Sequence, residues 1–299
     1  METIFDVILS VDFVNSLLRI TTPLLLATMA VLISNKAGVL NIGVEGLMLI
    51  SALMGVVGSA LTGNLLMGVL LAIAVSMGFS WMFAVFVLKL KTDITLAGIA
   101  LNLLASGLTI FVLYVLTGDK GVSTSLASKV LPTVGDTNGI PILSGQNIMT
   151  WIAIASVFLT SLFLKRTKTG TYIRAVGEHA QAVGSAGINV YNVQLKALLL
   201  CGLFAALGGM YMSMGYLSMF TKDMIAGRGF IAIAAEAMGM GMPILSMVMA
   251  FIFGFADALS NNLQFFGVPN EIVRMIPYII TIVALAIYAA NKMRKARKF

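Results

Sequence analysis

The chain has 299 residues, of which 59% are hydrophobic and only 10% are charged, and its mean hydropathy is +1.01. Soluble domains carry about 25% charged residues, so this composition excludes a soluble protein and leaves no room for a separate soluble domain. The net charge is +7, and the basic residues lie at the ends of apolar runs and in the tail KMRKARKF. This distribution indicates orientation in a membrane and not nucleic acid binding.

The apolar runs predict an all-α polytopic membrane protein, with residues 1–299 forming one transmembrane domain. Each crossing needs about 20 apolar residues, and parity between external and cytoplasmic segments gives about nine crossings, with eight or ten left open. In chain order the predicted crossings are Val14–Ser34, Leu47–Leu61, Leu65–Leu90, Ile94–Leu116, Ile148–Leu164, Leu195–Leu217, Phe230–Gly241, Ile244–Leu259 and Ile272–Ala290.

Two of these elements are interrupted or short. The stretch NKAGVLNIGVEG (Asn35–Gly46) contains three glycines, Asn41 and Glu45, and it predicts a break in the backbone before the second crossing. Phe230–Gly241 gives only about 18 Å at 1.5 Å per residue, although parity requires it to cross. A short crossing must be buried in protein, as a half-length or broken helix that lines a cavity.

The two interrupted segments resemble each other, since Gly38–Gly46 and Gly229–Ala237 share Gly, Ile and Glu at matching offsets. Two hypotheses remain open here: an inverted internal repeat with the transport site between its halves, or chance identity in a chain rich in Gly and Ile. On either hypothesis both segments begin discontinuous helices.

Glu45 and Glu236 are the most informative polar residues, because an ionisable group at the centre of a span costs roughly 2.5–3.5 kcal/mol. Each either accepts hydrogen bonds from a broken helix or pairs with a neighbour such as Lys36, or else it contacts the solute. Further polar residues lie on the spans or at their outer ends, where interhelical contacts and a solvated interface are the alternatives to a pathway role. The candidate pathway or gate residues are Asn41, Glu45, Asn102, Glu236, Asp257 and Asn261.

Two polar segments separate the crossings. Residues 117–147 are predicted to form an external loop that caps the outer mouth, and residues 165–196 a cytoplasmic loop, because it opens with a basic cluster after an apolar run. Within the second segment, Arg174–Ala186 is predicted to be a short helix whose small residues let another protein dock closely. The candidate docking residues are Arg174, Gly177, Glu178, Gly184 and Gly187.

The sequence contains no signature of catalysis or of a metal site. His179 is the sole histidine, and HExxH, G-x-S-x-G and Cys/His metal spacings are absent, so we predict neither an enzyme nor a metal site. Cys201 is the sole cysteine and lies in an apolar run, where packing is its expected role. No G-x-x-x-x-G-K-[ST] sequence occurs, so any ATP-driven step needs a separate subunit.

Three stretches resemble one known family: TPLLLATMAVLISNKAGVLNIGVEGLMLISA, RAVGEHAQAVGSAGINVYNVQLKALLLCGLFAALGG and GRGFIAIAAEAMGMGMPI. They are similar to the early signature, the cytoplasmic loop with its following helix, and the late signature of ABC-importer permeases for nucleosides, branched-chain amino acids and simple sugars. GVLNIGVEGLMLI is most similar to the nucleoside branch, including purine nucleoside permeases. The resemblance implies a nucleoside as the solute, with a branched-chain amino acid or a simple sugar as alternatives.

The resemblance also implies a fold and a set of partners. The fold would be similar to that of permeases of the cobalamin-importer class, in a bacterial plasma membrane. Expected partners are two ATPase subunits beneath the permeases, a second and non-identical permease, and an extracellular solute-binding protein or lipoprotein. Residues 165–196 would be the loop of this chain that couples to an ATPase. This chain is expected to bind no cofactor, whereas the ATPase uses ATP and Mg.

A self-contained, ion-coupled secondary carrier is the alternative from another class of transporter. In such a carrier Glu45, Glu236 or Asp257 would bind the coupling proton, which explains the buried acids equally well. It leaves the small-residue cytoplasmic loop without a role. A purely structural scaffold, the third hypothesis, leaves the costly acids unexplained.

Overall fold

A computed structural model describes residues 10–134 and 145–263, together with the isolated residues 279, 282, 283 and 286. Within these residues the chain is all-helical, as predicted, with two isolated β-bridges and no strand. The helices are α1 Val11–Lys36, α2 Val44–Thr62, α3 Leu65–Ala84 with a π-helical continuation Val85–Lys89, α4 Ile94–Thr117, α5 Ile148–Arg166, α6 Lys168–Ser185, α7 Val190–Tyr211 with a π-helical continuation Met212–Tyr216, α8 Arg228–Met238 and α9 Pro243–Leu263.

Seven of the described helices are long and apolar enough to cross a membrane: α1 to α5, α7 and α9. Helix α8 has 11 residues and is therefore only about 17 Å long, which agrees with the short element expected near Phe230–Gly241. The predicted last crossing, Ile272–Ala290, lies outside the described ranges apart from four isolated residues. The described residues thus confirm the all-helical class and contain seven helices that could cross a membrane, and the count of nine crossings stays a prediction.

The core of the bundle is formed by α1, α2 and α7, which bury most of their residues, whereas most residues of α3 and α4 are only partly buried or are exposed. Small residues let the core helices approach closely. A Cβ on Gly209 of α7 would collide with the carbonyl oxygen of Met48 on α2. The hydroxyl of Ser80 on α3 donates to the carbonyl oxygen of Leu198 on α7 at 2.6 Å. Such contacts replace the hydrophobic driving force that lipid does not supply between helices.

The helix predicted as Arg174–Ala186 is longer than expected. Helix α6 begins at Lys168 because the Thr167 hydroxyl accepts a hydrogen bond from the Gly170 N–H at 3.0 Å, which caps the first turn. The helical backbone is also interrupted at His179, with φ −153° and ψ 79°. The predicted range therefore covers the last two thirds of the observed helix, but it misses the helix start and did not foresee the break at His179.

The described part of residues 117–147 packs across one end of the bundle. The Ser123 N–H donates to the Phe220 carbonyl at 2.9 Å, and the Phe220 N–H donates back to the Ser123 hydroxyl at 2.8 Å. The Lys129 N–H donates to the Ser59 hydroxyl on α2 at 2.7 Å. This segment is therefore fixed to α2 and to the connection that follows α7.

Candidate functional site

The Glu45 carboxylate joins the first turns of two interrupted helices. Glu45 is the second residue of α2, and its two oxygens accept hydrogen bonds from the backbone N–H groups of Gly227 at 2.8 Å and Gly229 at 2.6 Å. Those N–H groups belong to the start of α8, which has no side-chain cap of its own. Because the N-terminus of a helix carries unpaired N–H groups and a positive partial charge, a carboxylate is well placed there.

The glycines at this junction are required by the close approach of the two helices. A Cβ on Gly229 would lie 2.7 Å from both the Cα and the backbone nitrogen of Glu45, which is too close for any other residue. Gly227 has φ 82°, in the left-handed region that favours glycine. The segments Gly38–Gly46 and Gly229–Ala237, singled out from the sequence as interrupted, thus meet at Glu45 and Gly229.

Two asparagines hold the break between α1 and α2. The buried Asn41 accepts from the Gly43 N–H at 2.9 Å, and its amide nitrogen lies 3.5 Å from the Cys201 sulfur. Asn102 on α4 accepts from the Gly46 N–H at 2.8 Å and donates to the Ile42 carbonyl at 3.1 Å. Backbone groups that the break leaves without helical partners are therefore satisfied by side chains.

Glu236 lies near the other end of α8 and is 1% exposed. Its two carboxylate oxygens accept hydrogen bonds from the Asn35 amide at 3.0 Å each, next to the C-terminus of α1. Lys36 is close to Glu236, and both side chains contact Gly241. A Cβ placed on Gly241 would lie 2.6 Å from the Lys36 Nζ and 3.3 Å from a Glu236 oxygen. Helix α8 is therefore attached at both ends to residues that flank the break, Asn35 on one side and Glu45 on the other.

A polar cavity of about 550 Å³ lies where α1, α6 and α8 meet. It brings the candidate gate residue Glu236 together with three candidate docking residues, Arg174, Gly177 and Glu178. A Cβ on Gly177 would collide with the carbonyl oxygen of Lys36, so α6 contacts the end of α1 directly. This volume lies within the range of about 300–1,000 Å³ that is typical of small-molecule sites.

Of the remaining candidates, Asp257 reaches the Glu45 junction through Arg228, and the others lie apart from both junctions. Asp257 on α9 pairs with Arg228 at the start of α8, at 3.3 Å, with side chains that are 28% and 18% exposed. Asn261 is exposed at the end of α9. Gly184 and Gly187 are exposed on and after the second half of α6 and do not line the polar cavity.

Sequence reasoning missed two residues of these junctions, Asn35 and Arg228. Each stands beside a residue or motif that was singled out: Asn35 precedes Lys36, and Arg228 lies in GRGF at the start of the late signature. A polar residue at a helix end next to an interrupted segment is the signal that would have identified them. Among residues 10–134 and 145–263, no three His, Cys, Asp or Glu side chains are grouped as a metal ion would need.

Comparison with known proteins identifies relatives over nearly the whole chain. The family model described as "Branched-chain amino acid transport system / permease component" matches residues 13–285. The guanosine ABC transporter permease protein NupQ of Bacillus subtilis is 36% identical, over 88% of this chain and 87% of the relative. The putative glucose ABC transporter permease protein TsgC13 of Haloferax volcanii is 31% identical, over 95% and 93%.

A third relative, the nucleoside ABC transporter permease protein NupC of Lactococcus lactis, is 29% identical over 92% of this chain and 91% of its own length. No solved structure gives a significant match.

Proposed function

We propose that this chain carries a nucleoside into the cell. The chain belongs to the family of branched-chain amino acid transport system permease components, and it is a membrane-spanning permease subunit of an ABC transporter. The observation that supports the solute is the 36% identity to a guanosine permease over 88% of this chain. The nucleoside permease at 29% identity supports the same class.

The contacts of α8 support a role for this helix in the gate. Helix α8 is held at its start by Glu45 and near its end by the Glu236–Asn35 hydrogen bonds. Both attachments lead to the break between α1 and α2. In the proposed mechanism α8 and the break therefore move together, and their movement opens or closes the path for the solute.

The contact between α6 and α1 supports a route by which a separate ATPase drives this movement. Gly177 of α6 packs on the backbone of Lys36, and Lys36 is next to Asn35, which holds Glu236. A displacement of α6 by a docked ATPase would therefore reach α8 through two direct contacts. We assign the docking surface to the exposed residues Arg174, Glu178, Gly184 and Gly187, and the ATP and Mg to the ATPase.

The other components follow from the family resemblance. We propose a second, non-identical permease beside this chain, and a solute-binding protein or lipoprotein outside. We further propose about nine crossings in a fold similar to cobalamin-importer permeases, with residues 117–147 outside and residues 165–196 in the cytoplasm. The glucose permease relative at 31% identity favours a simple sugar as the second candidate solute.

The test is uptake by the complete transporter in proteoliposomes, with the proton gradient clamped at zero or imposed. We expect ATP-dependent uptake of radiolabelled guanosine that is indifferent to the gradient and is inhibited by unlabelled nucleosides but not by glucose or leucine. Inhibition by glucose or leucine instead would assign the chain to a sugar or amino acid system. Uptake by this chain alone, driven by the proton gradient without ATP, would support the secondary carrier and contradict the proposal.

A further inference from the structure

An apolar groove of about 590 Å³ runs between the end of α3 and the first half of α4. It is open along one side, and large apolar residues in its walls are exposed, including Phe86 at 43% and Leu96 at 68%. The groove is separate from both junctions of α8. Its principal lining residues are Met82, Phe83, Phe86, Leu96, Ala100 and Leu104.

The depth of the groove matches one leaflet of a bilayer. Along α4 it extends from Asp93 to Leu104, which is roughly 16 Å at 1.5 Å per residue. The hydrocarbon core of a membrane is about 30 Å thick, so the groove covers about half of it. A lipid chain in one leaflet has this depth, whereas a packed partner helix would need a groove along the full length of α4.

The polar end of the groove carries two exposed cations. Lys89 ends the π-helical segment three residues after Phe86, and Lys91 directly precedes Thr92 and Asp93, both of which line the groove. The Asp93 carboxylate accepts a hydrogen bond from the Leu96 N–H at 2.9 Å and caps α4, so its charge is engaged by the helix. Under the positive-inside rule these lysines face the cytoplasmic leaflet, whose anionic headgroups attract basic residues.

We propose that the groove binds one anionic phospholipid, with an acyl chain along the face from Leu96 to Leu104 and its phosphate beside Lys89 and Lys91. The apolar walls select an acyl chain, the depth selects a single leaflet, and the two lysines select an anionic headgroup. The proposal requires only that the chain spans a membrane, so it holds whatever the transported solute is.

The test uses the complete transporter in phosphatidylcholine vesicles that contain a trace of phosphatidylglycerol with a photoactivatable group on its acyl chain. After illumination, peptide mass spectrometry locates the label. We expect labelling of peptides from the end of α3 and the first half of α4, and weak labelling there by a phosphatidylcholine probe of the same design. Equal labelling by the two probes would overturn the proposal, and this comparison needs no variant.

Two kinds of variant separate the headgroup from the acyl chain. The double substitution Lys89→Glu with Lys91→Glu should lower labelling roughly tenfold or more, because each lysine near a membrane surface contributes about a fivefold preference for anionic lipid. Ala100→Trp fills the groove without changing charge and should lower labelling to a similar extent. The controls are Lys129→Glu with Lys222→Glu, which make the same charge change elsewhere, and Leu103→Trp, which lies on α4 outside the groove.

Two results would contradict the proposal: unchanged labelling in the Lys89, Lys91 and Ala100 variants, or a disulfide between Ala100→Cys and a cysteine in the second permease. The second result would show that protein covers the groove.

Discussion

The Glu45 carboxylate accepts a hydrogen bond from the Gly229 N–H at 2.6 Å, so one side chain in the first turn of α2 caps the first turn of α8. The second carboxylate oxygen accepts from Gly227 at 2.8 Å. The two helices thus begin at the same place, and each presents the positive end of its dipole to the same negative charge. This arrangement explains how an acid is accommodated between two interrupted helices of the bundle.

Replacing Glu45 by Leu should lower stability more than replacing it by Gln. Leu leaves the N–H groups of Gly227 and Gly229 without an acceptor, at about 1–3 kcal/mol each. Gln retains one acceptor oxygen, so transport should fall only moderately. The measurement is the thermal midpoint of the detergent-solubilised complex together with ATP-dependent uptake, with Asp12→Asn and Asp12→Leu at the exposed start of α1 as controls. Equal midpoints for Gln and Leu at position 45 would mean that the cap does not stabilise the junction.

Substitution by alanine should impair transport at Gly177 and have no effect at Gly184. A Cβ on Gly177 would collide with the Lys36 carbonyl oxygen, so Gly177→Ala should separate α6 from α1 and reduce the transport driven by each ATP hydrolysed. A Cβ on Gly184 meets only Val190 at 3.7 Å, so Gly184→Ala should be neutral. The measurement is uptake divided by ATP hydrolysis in proteoliposomes. If the Gly177→Ala complex keeps the wild-type ratio of uptake to ATP hydrolysis, this contact does not transmit movement.

Gly184→Trp tests the docking surface itself. Gly184 is exposed, so the indole should leave the fold intact and prevent close seating of the ATPase. We expect normal expression of the permease and loss of solute-stimulated ATP hydrolysis, measured on the purified complex. Wild-type transport by this variant would place the docking surface elsewhere.

The two polar segments should be labelled from opposite sides of the membrane. Ser123 is unsuitable for this test because it is buried, whereas Ser125 and Ser185 are exposed. In a Cys201→Ala background, Ser125→Cys should react with an impermeant maleimide in intact cells, and Ser185→Cys only after lysis. Labelling of Ser185→Cys in intact cells would show that the topology is the reverse of the one proposed.

The sequence predicted the helical class, the break before α2 and the short helix α8, because hydrophobicity, glycines and parity all act locally or through simple counting. It also predicted that Glu45 and Glu236 need special surroundings, since a charge in an apolar run is costly wherever its partner lies. The sequence could not predict which groups the two carboxylates bind. The N–H groups that Glu45 binds lie 182 and 184 residues away, and backbone groups carry no sequence signal.

The start of α6 was predictable and was missed. Thr167 directly precedes the helix and caps Gly170, three residues on, which is a recognisable N-terminal pattern. The role of Gly177 was not predictable, because small residues indicate close packing without identifying the surface on which they pack. The structure shows that this glycine packs on Lys36 of the same chain.

The hydrogen bonds between Asn35 and Glu236 tie the end of α1 to α8. Asn35→Asp places a second carboxylate against Glu236, whose oxygens lie 3.0 Å from the Asn35 amide nitrogen. Repulsion between the two carboxylates should separate α8 from α1 and abolish coupled transport. Glu236→Gln alone removes the charge and keeps an acceptor, so its effect should be moderate.

Combining Asn35→Asp with Glu236→Gln reverses the hydrogen bond, since the amide introduced on α8 donates to the carboxylate introduced at the end of α1. If the junction transmits movement, the double variant should recover most of the uptake lost by Asn35→Asp, with an interaction free energy of about 0.5–3 kcal/mol from the thermal midpoints of all four proteins. Asp257→Asn combined with Asn35→Asp is the matched control, because it also removes one carboxylate but lies at the other end of α8, where it contacts Arg228. Recovery by this control would show that net charge alone determines uptake, and it would contradict the assignment of the Asn35–Glu236 bond to coupling.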